Sequence, residues 1–275
     1  MESNTEILLN MEELYKYKNF NKNPIPEIEQ FIKVKNISDG NYKKIVSKNN
    51  WVLNKKLNMD DDEKLNYQYR SILNKISDNN LNEMAKEIIN LEIKTQDQLC
   101  KLVDFIFSKA ISESKFCELY AKCSKELSTY YIELDGTKIC FRQLLIKKCQ
   151  IMFNNAINLD KNIENDPSEN IFKIKDEILG CISFIGELYK QGLLADRIIY
   201  SCFVSLETKT SLNKAYIVDS MCTLMKIVGK FFFKNTPTEA NICFSKLEKL
   251  KETNISLKEK FFILDIVDLK KKEKW

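Results

Sequence analysis

The sequence predicts an all-α protein, a solenoid of stacked helical hairpins entered through an extended N-terminal arm. Three observations predict it. Only six Gly and four Pro are spread over 275 residues, too few for the frequent tight turns of sandwiches and barrels but enough for helices joined by short corners. From about Leu65 onward apolar residues recur at helical spacing. Capping signals mark where one helix stops and the next begins. At 44% hydrophobic residues, a chain of this length can bury a substantial core.

The periodicity places helices near residues 65–76, 78–91, 95–111, 113–130, 140–158, 170–191, 193–207, 212–231, 237–251 and 257–269. In the third, Thr95 and Gln98 form a capping box. Behind it Leu99, Leu102, Val103, Ile106, Phe107 and Ala110 share one face. Ser112 is expected to cap the fourth helix, with Phe116, Leu119, Tyr120, Cys123 and Leu127 on its buried side, so "FSKAISESKFCELYAKC" reads as a helical hairpin. Gly192 suits the left-handed residue that closes a helix. Thr236, Pro237 and Glu239 predict a boxed start, and Ser256 with Glu259 predicts another. Ten helices make five hairpins, and hairpins of this size that bury their apolar faces on their neighbours form an α-solenoid of the HEAT type.

Three regions are expected: an arm at 1–62, the repeat domain at 63–269 and a basic tail at 270–275. The one long connection between helices, Asn158 to Asn170, is polar and interrupted by Pro167. The arm carries Pro24 and Pro26 and lacks periodicity. Its Trp51, alone in "NNWVLNKKL", either folds back onto the repeats or fills a partner's pocket.

Composition excludes several classes of function. The chain has no histidine, which removes the commonest general base near neutral pH and the commonest transition-metal ligand. It has neither a glycine-rich phosphate loop nor a dinucleotide-binding turn. No enzyme, metal or cofactor is therefore expected. Nine cysteines without a C-x-x-C pair read as small core residues on helical faces in a reducing compartment. The opening "MESNTEILLN" has no long apolar run, so neither a signal peptide nor a membrane anchor is expected and a cytoplasmic location is. A net charge of +4 is too small to announce a nucleic-acid binder, so any RNA contact must be a local patch.

The blocks "RSILNKIS", "LCKLVDFIFSKAISESKFCELYA", "FRQLLIKKCQ", "FIGELYKQGLL", "MCTLMKIVGK" and "FILDIVDLK" resemble, in order and spacing, the middle domain of eukaryotic translation initiation factor 4 gamma. The resemblance runs from about Leu65 to Leu269. The long N-terminal region and later helical domains of many members are not part of the matching stretch, which fits either a compact member or a piece of a longer one. It implies five HEAT repeats and a scaffold in cap-dependent initiation that clamps both lobes of a DEAD-box RNA helicase. ATP hydrolysis then belongs to the partner.

The same resemblance implies helicase contacts at Trp51, Arg70, Asn74, Lys75, Phe116 and Glu187 beside Lys190, with Asp265 and Asp268 as a second patch. Phe116 also fits the buried side of its helix, and the charged positions also fit an ordinary solvated face. "SNTEILLNM" is similar to the family's motif for the cap-binding protein at Glu6, Ile7, Leu8 and Leu9, with Ser3 where the motif has Tyr. Arg142, Lys147, Lys148, Lys173 and Lys175 either track an RNA backbone or simply solubilise the chain. The implied partners are the helicase, the cap-binding protein and mRNA, with no membrane contact and a monomer outside the complex. Similar helical domains serve poly(A)-binding-protein partners, mRNA decay and splicing, which keeps an RNA-processing adaptor as the second reading.

Overall fold

Asp60 opens the first helix. Its carboxylate accepts the Glu63 N–H at 2.7 Å, and Asp61, Asp62 and Glu63 fill a first turn where the helix dipole favours negative charge. The computed structural model describes residues 60–158, 170–208 and 214–275. Ten α-helices lie among them. The helices α1 (Asp61–Leu73), α2 (Leu81–Ile89), α3 (Gln96–Ser112) and α4 (Cys117–Glu126) precede a short hairpin of strands β1 (Tyr131–Leu134) and β2 (Thr137–Cys140). Then follow α5 (Phe141–Asn158), α6 (Asn170–Lys190), α7 (Asp196–Thr208), α8 (Lys214–Asn235), α9 (Pro237–Lys249) and α10 (Leu257–Glu273).

The hairpins stack into two rows. In the even row α2 packs on α4, α4 on α6, α6 on α8 and α8 on α10 without a break. In the odd row α1 packs on α3, α3 on α5 and α7 on α9, whereas α5 and α7 approach each other only weakly. Between the rows lies one continuous apolar core. Its largest fully buried side chains include Tyr69, Phe107, Phe141, Phe184, Phe203 and Phe232. Seven of the nine cysteines are buried, and Cys100 and Cys140 are half-buried.

Local signals hold unevenly. Thr95 and Gln98 make the expected capping box. Gly192, at φ 73°, closes α6 with the paired bonds Gly192 N to Tyr189 O (2.8 Å) and Leu193 N to Leu188 O (3.0 Å). Thr236 and Ser256 stand at the starts of α9 and α10, but neither hydroxyl accepts a helix N–H. Thr236, at ψ 73° rather than extended, turns its hydroxyl back to donate to the Phe232 carbonyl at 3.5 Å. The Ser256 hydroxyl donates to the Glu259 carboxylate instead.

Three further readings are corrected. Ser112 is the last residue of α3 rather than the cap of α4, and the corner between them is a 3₁₀ turn, Ser114–Phe116. Between α4 and α5 the chain makes a β-hairpin in place of a plain corner. Asp135 (φ 49°) and Gly136 (φ 75°) both take the left-handed conformation, as a two-residue turn of this hand requires, and Cys140 lies on its second strand rather than on a helix. Finally, α10 continues to Glu273, so Lys270, Lys271 and Lys272 form its last turn, where cations suit the dipole. The segment 159–169, read as the long loop, lies outside the described residues.

Leu102 and Ile106 are fully buried. Truncating either to Ala should destabilise the domain by about 2–5 kcal/mol in urea or thermal melts, through lost burial and an incompletely collapsed cavity. Gly180→Ala should also destabilise, because the added Cβ would lie 2.9 Å from the Ile111 carbonyl oxygen, a backbone atom that cannot step aside.

Candidate protein-binding site

Two exposed aromatic patches stand out, one at the α1–α4 corners and one on α10. At the first, Asn74 ends α1 as its C-cap and Phe116 ends the 3₁₀ turn before α4. Both line one depression of about 320 Å³ with buried Leu73, Leu119 and Tyr120 beneath. Phe116 is 53% exposed, so it is not part of the apolar face on which it was counted. A 3₁₀ turn advances about 120° per residue instead of 100°, which rotates Phe116 off that face.

Glu113 holds this corner. Its carboxylate accepts from Lys109 Nζ and from Tyr120 Oη, each at 2.6 Å, and these bonds lower its pKa below the usual 4.5. On α6, the half-buried Glu187 pairs through Oε2 with Lys190 Nζ at 2.8 Å. Burial, and after it the Glu187 carboxylate, pushes the neighbouring Cys117 thiol up to about 12. Arg70 lies on α1 with its guanidinium 4.9 Å from the centre of the Phe105 ring, and Lys75 is exposed just beyond Asn74.

The second patch was only half legible. Asp265 and Asp268 are exposed on α10 as expected, and Asp268 is paired to Lys271 only loosely at 3.6 Å. Beside them run Leu257 (71% exposed), Phe261 (62%) and Leu264 (41%), spaced i, i+4 and i+7 along one helix face. Helical spacing of apolar residues on α10 therefore occurs on two faces. Ile263 and Ile266 turn inward, and the outward stripe carries the acidic pair at its edge.

Two of the basic candidates are engaged by other groups of the protein. Arg142 donates through Nε (3.3 Å) and a terminal nitrogen (3.0 Å) to the Leu193 carbonyl, tying α5 to the end of α6. Lys148 is bridged to Asp104 at 2.7 Å. Lys175 lies over the Tyr216 ring at 4.5 Å, and Lys147 is exposed. The side chain of Lys173, together with Trp51 and Glu6, Ile7, Leu8 and Leu9, lies outside the described residues. No group of three or more potential metal ligands occurs among the described residues, and no described helix is long and apolar enough to cross a membrane.

A two-row helical repeat with seven of its nine cysteines buried and aromatic side chains exposed at separate places has the architecture of an α-solenoid. The chain belongs to the MIF4G domain family, whose model matches residues 66–273. It is similar to eukaryotic translation initiation factor 4 gamma of Dictyostelium discoideum, 27% identical over 273 residues that cover 82% of this chain and 20% of that protein. To mouse eukaryotic translation initiation factor 4 gamma 1 it is 29% identical over 225 residues, 73% of this chain and 14% of the relative. The Arabidopsis thaliana factor 4G is 27% identical over 78% of this chain and 13% of its own length. The match thus spans a small part of each relative. Among solved structures, the MIF4G domain of Trypanosoma cruzi translation initiation factor EIF4G5 has the same fold, with a TM-score of 0.51, 24% identity, and coverage of 75% of this chain and 94% of that one.

Because the Glu113 carboxylate is held below its usual pKa in the folded state, its stabilising effect is present above about pH 4.5 and is lost as pH falls through the folded value. Glu113→Gln should cost less than about 1 kcal/mol at pH 7, since the pair is partly exposed. The difference from the parent protein should close as melts are carried to acid pH through the lowered folded-state pKa.

Proposed function

We propose that this chain is a translation-initiation scaffold that binds a DEAD-box RNA helicase at two places and stimulates it. The observation that carries this reading is the pair of exposed aromatic patches, Phe116 with Asn74 at one corner and Phe261 with Asp265 and Asp268 on the last helix, in a member of the MIF4G family. Exposed aromatics bordered by charge are the usual anchors of protein interfaces. A rigid platform with two such anchors acts on a two-lobed enzyme by holding the lobe arrangement it binds most tightly. Catalysis then resides in the partner, and the scaffold works in the cytoplasm.

Trp51 in the arm is a third anchor in this reading, and Glu6, Ile7, Leu8 and Leu9 are the contact for the cap-binding protein. Lys147, exposed on α5, is the basic position best suited to RNA in this reading, because Arg142 and Lys148 already hold protein groups.

Titrating the chain into the initiation helicase, with calorimetry and RNA-stimulated ATP turnover followed in parallel, tests the proposal. Binding with faster turnover is expected. Phe116→Ala, Phe261→Ala and Trp51→Ala should each weaken binding by about 2 kcal/mol, and the first two should leave melting unchanged because Phe116 and Phe261 are exposed. Absence of both binding and stimulation would move the chain to an RNA-processing adaptor role.

A further inference from the structure

The odd row is open at one place. Between α5 and α7, which approach only weakly, lies a cleft of about 360 Å³, within the range of built binding sites. Ile185 of the even row lies beneath it, and Ile146, Phe153, Leu194 and Ile198 face it from the two sides. The rim is polar but almost uncharged, with Gln150, Asn154, Ser201 and Ser205.

Arg197 is the one ionised side chain in this lining. It is exposed and forms no ion pair among the described residues. Its neighbour Asp196 makes no ion pair with it among the described residues; Asp196 Oδ1 instead accepts from Tyr189 Oη at 2.6 Å and from Asn235 Nδ2 at 3.2 Å. The cleft therefore offers an apolar trough with one exposed arginine at its edge, held in no ion pair among the described residues. Elsewhere in the odd row the corresponding space is filled by direct packing of one helix on the next.

We propose that the α5–α7 cleft binds an amphipathic helix from a partner protein, its apolar face in the trough and an acidic side chain on Arg197. Helix-in-groove recognition uses this combination of apolar anchors at i, i+3 or i+4 and i+7 with one polar contact that sets register. The surface is distinct from the corner and α10 patches, and the proposal does not depend on the helicase reading.

The test uses the full chain and a fluorescein-labelled synthetic amphipathic helix with Leu at i, i+4 and i+7 and one flanking Glu, read by anisotropy. The Glu peptide should bind, and its Lys counterpart should bind about tenfold more weakly. Arg197→Glu should reverse that order, a result that loss of structure cannot produce. Ser201→Trp, which places an indole in the trough from an exposed helix position, should abolish binding of both peptides while melting and helicase affinity stay at parental values. Equal affinity of the parent protein for both peptides, or binding that survives Ser201→Trp, would overturn the proposal. So would concentration-dependent self-association removed by Ser201→Trp, because the occupant would then be a second copy of this chain.

Discussion

The array depends on how closely α6 can approach its neighbours. This helix packs against α3, α4, α5 and α8, so it must be apolar on nearly every side and narrow where backbones meet. Its buried Ile178, Cys181, Ile182, Phe184, Ile185 and Leu188 meet the first demand. Gly180 meets the second against Ile111, where even a Cβ would press on the carbonyl oxygen. A helix buried all round contributes far more through packing than through its own propensity, in which glycine costs about 1 kcal/mol. The two halves of the solenoid are joined by that trade of local propensity for close approach.

Once helix faces are committed to this core, exposed aromatic side chains fall at positions the core cannot use. Corners are one such place. The 3₁₀ turn Ser114–Phe116 turns an aromatic ring outward while Glu113, bonded to Lys109 and Tyr120, keeps the turn from fraying. The flank of the last helix is another. Ile263 and Ile266 of α10 pack inward, so Leu257, Phe261 and Leu264 have no helix beyond them to cover them among the described residues.

Most of the fold was legible because each helix repeats one apolar face, and a 3.6-residue period survives any change of residue that keeps size and polarity. The α3 face from Leu99 to Ala110 needed no tertiary knowledge. What escaped was local and short. The β-hairpin rests on the Asp135–Gly136 turn, a recognisable signal, but its four-residue strands are too short for alternation to outweigh the helical pattern on either side. Caps at Thr236 and Ser256 were misread because a hydroxyl has several acceptors in reach, and the backbone angle at Thr236 and the carboxylate of Glu259 decide among them. Of the candidate site, Asn74 and Phe116 meet in one depression although they are far apart in sequence. Arg142 and Lys148 looked like free cations, and only their tertiary partners, the Leu193 carbonyl and Asp104, show that they are engaged.

The two rows divide structural tasks between them. From the corner at α4 to the stripe on α10 the even row runs through α6 and α8 without a gap, so the spacing of the two aromatic patches is set by close-packed contacts. Close-packed interiors resist small deformations. The odd row, by contrast, opens between α5 and α7, and that opening lies off the path joining the patches. Filling it adds contacts to one face without requiring any even-row helix to move. A platform built this way can carry a third surface while the spacing of the two aromatic patches stays fixed by the unbroken row.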